Sequence, residues 1–258
     1  ERMFLVLLDE MNLARTEYYF SEFLSKLELR RLVQDPSLPF NRQGAEIELD
    51  TGPSKDGPFR IWVPHNILFI GTMNEDETTQ TLSDKVLDRS NILRFGKPEV
   101  VSKIDAEEVG EIENSNKYLS KNQWNGWKKT FDQQFDKFDE VNNKINDLNM
   151  SLNKIGRPFG FRVREAIGSY VANYPRVDSG ERYKLAVADQ IEQKIIPKIQ
   201  GIDLDEKSTD ECLDGIERII DDIGDNALGQ AFERSKEDSR SIGMFKWQGV
   251  TRSLSEGA

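Results

Sequence analysis

One cysteine (Cys212) and one histidine (His65) stand in 258 residues, and that scarcity removes much of the usual catalytic menu. A single cysteine cannot build a disulfide framework, and the two residues together cannot build a Cys/His zinc cluster. A Ser-His-Asp triad would have to run through His65, which follows Pro64 at an expected strand end, so a structural role is expected instead. Cys212 falls on the apolar side of a helical pattern and is expected to be a buried thiol. No apolar run reaches the roughly 18 residues that a bilayer span requires, and no signal-peptide pattern opens the chain. A cytoplasmic protein without membrane contact is expected. Positive charge is also short: 35 Lys and Arg against 46 Asp and Glu leave a net charge of −11. That balance disfavours a surface that grips phosphate backbones throughout, although a local basic groove stays compatible with it.

What is present begins with Met3-Phe4-Leu5-Val6-Leu7-Leu8, six apolar residues that do not alternate. Such a run predicts a strand covered on both faces, as in a parallel sheet flanked by helices. Parallel neighbours arrive through crossovers of a dozen residues or more, so the strand's partners are expected in another segment or another polypeptide. Asp9-Glu10 follows directly, where open α/β sheets place ligands. Phe20, Phe23, Leu24 and Leu27 then mark an amphipathic helix running to about Leu32. Residues 44–64 predict a β-hairpin around a Gly/Pro-rich loop at 51–58, which lacks the Gly-Lys-Ser/Thr ending of a phosphate-binding loop. Ile67–Thr72 predicts a second buried strand ending in Met73-Asn74. A short helix over 82–87 leads to Asp88-Arg89-Ser90, and Asn91–Phe95 predicts a third strand.

Residues 101–121 are acidic and weakly patterned, and predict a connector. From Trp124 a face carrying Trp127, Phe131, Phe135, Phe138, Val141, Ile145, Leu148 and Leu152 predicts one long helix of roughly 40 Å, its aromatic stripe packed against neighbouring helices. Further helices are predicted from Phe161, over 181–196 up to Pro197, and from a capping box at Ser208-Thr209-Asp210-Glu211 to Gly224. Phe245–Gly249 predicts a short strand or docking segment. The fold class is therefore α/β plus all-α. Three parts are expected: an α/β part over 1–100, a connector with the long helix over 101–155, and a helical part over 156–258.

The acidic doublet at one strand end, an amide at the next strand end and an arginine some fifteen residues later suit phosphoryl transfer. The first carboxylate can hold Mg²⁺ through water, and the second can deprotonate an attacking water. The asparagine can hold that water without adding charge, and the arginine can neutralise transition-state charge on a neighbouring subunit's nucleotide.

Phe4–Asn12 with its following helix, Ile67–Asn74 and Lys85–Ser90 resemble the Walker B, sensor 1 and arginine-finger segments of an AAA+ NTPase. More narrowly, "LLDEMNLARTEYYFSEFLSKLE", "GTMNEDETT", "KVLDRSNIL", "GRPFGFRVREAI", "QKIIPKIQG" and "FKWQG" resemble the McrB-type subunit of modification-dependent restriction systems. The resemblance implies a partial AAA+ core with an inserted β-hairpin followed by a helical lid. It implies a GTP- or ATP-driven ring, often hexameric, which acts on DNA with an McrC-like nuclease subunit. It makes Asp9 the Mg²⁺-associated aspartate, Glu10 the catalytic glutamate and Asn74 sensor 1. Arg89 becomes the finger acting in trans, and Arg162 sensor 2, with Arg157 and Arg164 close enough to compete for that role. Two departures stand out. This sequence carries no Walker A loop, so these residues alone should not hydrolyse nucleotide efficiently. The family's Met-Asn-x-x-Asp-Arg signature is replaced after Met73-Asn74 by Glu75-Asp76-Glu77-Thr78, which leaves GTP and ATP both open. The alternatives are a protein-remodelling AAA+ ATPase and a non-catalytic AAA+ scaffold.

Overall fold

In the computed structural model the described residues are 1–13, 16–49, 52, 57–73, 84–95, 117–177 and 181–251. Asn74, the polar stretch 75–81, most of the expected hairpin loop and most of the expected connector lie outside them. The chain divides into two units, Glu1–Arg89 with Asn114–Trp127, and Ser90–Glu113 with Lys128–Ala258. It is a mixed α/β protein in which helix predominates.

In the first unit, strand β1 (Phe4–Leu8) and strand β4 (Ile67–Gly71) form a parallel pair in the register Phe4↔Ile67 to Leu8↔Gly71. Helix α1 (Thr16–Leu29) follows β1 and continues as a 3₁₀ turn to Leu32. A short helix α2 (Pro39–Arg42) leads to β2 (Ile47–Leu49), which pairs antiparallel with β3 (Phe59–Ile61) as the expected hairpin. Phe23 of α1 meets Phe69 of β4 edge to face, with ring centroids 4.9 Å apart. Arg30, just past α1, donates to the carbonyls of Pro64 (2.8 Å) and Ile67 (3.0 Å) and so ties the helix end to the entry of β4. The Nε2 of His65 lies 2.7 Å from the Arg30 carbonyl oxygen and its ring packs on Trp62. Helices α3 (Asp84–Leu87) and α4 (Lys121–Trp127) complete this unit.

The sheet does not have the expected covered faces. Phe4, Leu5 and Leu7 are 56%, 61% and 62% exposed. Phe4 N–H donates to the Asn66 carbonyl (2.8 Å) and Thr72 N–H to the Leu8 carbonyl (2.9 Å), so alternate residues of β1 from Phe4 to Leu8 turn their backbone groups to β4. The groups of Leu5 and Leu7 face the other edge. There Met3 N–H donates to the Leu119 carbonyl (2.9 Å), and Arg2 bridges Ser120.

The second unit is built of helices around one core. It contains α5 (Phe138–Asn153), α6 (Phe161–Ala172), α7 (Arg182–Gln190), a π-helical stretch (Ile191–Ile195), α8 (Ile196–Ile199), α9 (Lys207–Ile223) and α10 (Asn226–Arg240). Val141, Ile145, Leu148 and Leu152 of α5 are buried against Cys212, Leu213, Ile216 and Ile220 of α9, with Val163, Ile167, Val187 and Ile195 in the same cluster. Each such aliphatic side chain contributes about 1.5–3 kcal/mol through burial.

Several sequence expectations are corrected here. The single long helix from Trp124 is interrupted between α4 and α5. Asp132 accepts Thr130 Oγ1–H (2.8 Å) and the Gln134 N–H (2.9 Å), local bonds that compete with helix. Asn173 clamps the Lys129 N–H (2.7 Å) and carbonyl (2.8 Å) as well. Phe131 and Phe135 still pack on the helical core, as the stripe suggested, but Trp127 is 62% exposed. Pro197 does not end a helix; it sits in the first turn of α8, where a missing N–H is tolerated. The capping box is not formed: α9 starts at Lys207, and Ser208 Oγ–H donates to Glu206 (3.2 Å). Asn91–Phe95 is not a strand, and its one pairing is an isolated bridge from Phe95 to Val250. The helix α10 was not anticipated; Asp225 caps it by accepting the Leu228 N–H (3.0 Å). The Phe245–Gly249 segment docks, with Phe245 and Trp247 buried in the core.

Candidate active site

The parallel register places the residues after Leu8 beside those after Gly71. A side chain on Thr72 can therefore reach across to the acidic doublet. Its Oγ1 accepts the Glu10 N–H (2.9 Å), and its hydroxyl donates to Asp9 Oδ1. The Met11 N–H donates to the Thr72 carbonyl (3.0 Å), and the Leu13 N–H to the Glu10 carbonyl (3.1 Å). Four bonds thus fold the segment after β1 into a turn over the tip of β4. Both carboxylates remain exposed. Glu10 adopts φ +50°, a left-handed conformation that costs a side-chain-bearing residue about 1–2 kcal/mol.

A cavity of about 840 Å³ opens beside this turn. Its floor is apolar, from Leu7, Leu8, Phe20, Phe23, Leu49 and Phe69, while Asp9, Glu10, Glu22 and Glu48 bring carboxylates to its wall. Among the described residues no basic side chain lines it.

Mg²⁺ is commonly held by one or two carboxylates, water and phosphate oxygens rather than by an all-protein cage. Among the described residues no three His, Cys, Asp or Glu side chains gather to hold a metal. The exposed Asp9–Glu10 pair, with one Asp9 oxygen engaged by Thr72, suits the first mode.

The other predicted site residues stand as follows. Asn74, the amide expected at the tip of β4, lies outside the described residues. Arg89 follows α3, and its Nε pairs with Glu28 Oε2 of α1 at 3.1 Å in a half-buried contact. Arg162 is exposed in the first turn of α6, in the helical unit. Its two competitors are engaged structurally. Arg157 donates to the carbonyls of Lys198 (2.8 Å) and Gln200 (3.2 Å), and Arg164 to Asn142 (2.8 Å) and Asn146 (2.6 Å). Thr72 and Glu28 are the residues that sequence reasoning missed. The signal for Thr72 was its place one residue past the second apolar run, which becomes informative only once the pairing register is known.

A family model described as a domain of unknown function (DUF8727) matches residues 103–241. The matched segment includes Arg162 and none of Asp9, Glu10, Asn74 and Arg89. No curated protein and no solved structure matches the chain.

Proposed function

The chain belongs to the family described as a domain of unknown function (DUF8727), and from the geometry outside the matched segment we propose that it is part of a Mg²⁺-dependent nucleoside-triphosphatase of AAA+ type. One observation carries the reading: two parallel strands end side by side, and Thr72 on one holds both the Asp9 carboxylate and the Glu10 backbone of the other.

In this reading Asp9 holds Mg²⁺ through water, with Thr72 fixing its rotamer. The ion, when bound, neutralises charge on the nucleotide's terminal phosphates. Glu10 orients the attacking water and takes its proton. The turn that carries Glu10 is set by the Thr72 and Leu13 bonds. Asn74 contacts the water or the terminal phosphate, and Arg89 acts on a neighbouring subunit's nucleotide. The sequence resemblance makes Arg162 the sensor 2 residue. The sequence resemblance implies that a Walker A segment outside these residues supplies positive charge for the phosphates. The intact assembly is a ring that hydrolyses GTP or ATP and works on DNA with an McrC-like nuclease, as the sequence resemblance implies.

The test is Glu10→Gln in the full-length protein. Nucleotide binding should persist while hydrolysis falls by about 10²–10⁴-fold, the usual contribution of a general base. Undiminished turnover overturns the assignment.

A further inference from the structure

Helix α1 links two places that the reading above treats separately. It begins just after the Asp9–Glu10 turn and ends at Leu29. From Thr16 to Glu28 it extends roughly 18 Å at 1.5 Å per residue. At its far end Glu28 accepts from Arg89 Nε at 3.1 Å. The pair is sheltered, with Arg89 and Glu28 side chains 14% and 31% exposed. The backbone that carries Arg89 is fixed too. α3 packs on α1, Val86 is buried, and the Arg89 N–H donates to the Val86 carbonyl (3.1 Å). Immediately beyond, Arg30 anchors the same helix end to β4.

We propose that Glu28 is the positioning residue for Arg89. The inference rests on the hydrolase reading, in which Arg89 neutralises charge on a neighbouring subunit's nucleotide. An arginine side chain is long and rotamer-rich, and its fork is useful only if its plane is set. A carboxylate on Nε fixes that plane and the direction of the guanidinium. A purely structural role would instead make the pair a clasp between α3 and α1, indifferent to turnover.

The experiment measures steady-state nucleotide hydrolysis by the full-length protein. The variants are Arg89→Ala, Glu28→Gln, Glu28→Asp and the Glu28→Gln/Arg89→Ala double, with thermal unfolding recorded for each. Arg89→Ala should lower kcat by about 10³-fold or more. Glu28→Gln should lower kcat by about ten- to a hundredfold, as misplacement of a catalytic group does, with KM unchanged. Glu28→Asp should recover part of that loss, and Glu28→Gln should have no further effect once Arg89 is alanine. An equal loss from Glu28→Gln in both backgrounds overturns the inference and leaves Arg89's role standing. So does full turnover in Glu28→Gln alongside a dead Arg89→Ala. Full turnover in Arg89→Ala, or none in the unsubstituted protein, overturns the parent reading and this inference together.

Discussion

The two units handle apolar residues in opposite ways. The helical unit gathers its aliphatic side chains into one cluster that runs from Val141 to Val250, most of them at or near zero exposure. In the strand-bearing unit, Ala45 and Val86 are the only hydrophobic residues buried to that class among the described residues. Yet β1 is as apolar in sequence as any helix face in the other unit. The difference lies in how each element closes. A helix satisfies its own backbone and needs only one stripe covered, which four neighbouring helices can do. A parallel strand needs a neighbour on each edge and a layer on each face; β1 has β4 on one edge, and the aromatic contact of α1 is with Phe69 of β4. Burial is therefore a property of the partners at hand, not of the residues alone.

Separating the units should give the largest effect. A fragment of residues 128–258 should show a cooperative thermal transition, and a fragment of residues 1–127 should show none. A cooperative transition in the second fragment would break the contrast. Point truncations sharpen it. Ile145→Ala, in the closed core, should destabilise by about 2–5 kcal/mol through lost transfer and a residual cavity. Leu5→Ala, on the open strand, should change stability by under about 0.5 kcal/mol. Chemical denaturation of the two variants decides, and comparable losses would contradict the account.

The smallest effect concerns the lone thiol. Burial raises the Cys212 pKa from 9.0 to about 11, because the charged thiolate is poorly solvated in the helical core. The folded state thus favours the protonated form, and that contribution is complete below pH 9 and is lost as pH rises towards 11. Stability should fall across that window, and Cys212→Ala should remove a part of the fall on the order of 1–2 kcal/mol. Tyr170 and Tyr183 are also pushed upward, chiefly by burial, so some decline persists in the variant. A variant whose pH profile matches the parent's would show that the thiol does not ionise on unfolding in that range.

Much of this was legible from residue order. The hairpin, the two parallel strands, α1, the Leu213–Ile216–Ile220–Ile223 face and the left-handed Gly224 at the end of α9 all carry local signals, and the structure shows each of them. What was misread depended on competition between equally local interactions. Asp132 and Asn173 outbid helix continuation across an otherwise perfect apolar period. Ser208 found the Glu206 carboxylate instead of a helix N–H. At the candidate site the acidic doublet was visible as sequence, but the hydroxyl that organises it was not. Thr72 and Asp9 are 63 positions apart, and only strand register joins them.

The wider turn at Ile191–Ile195 fixes the angular phase of everything after it. An ordinary helix advances about 100° per residue, so the looser stretch sets back the phase of the helix beyond it. Ile191, Ile195, Ile196 and Ile199 all have zero exposure, so the buried face continues from one side of the stretch to the other. Deleting one residue there would return the stretch to ordinary α-helical winding and leave Ile196, Ile199 and the Gln200 side chain that receives the Trp247 N–H in their present phase.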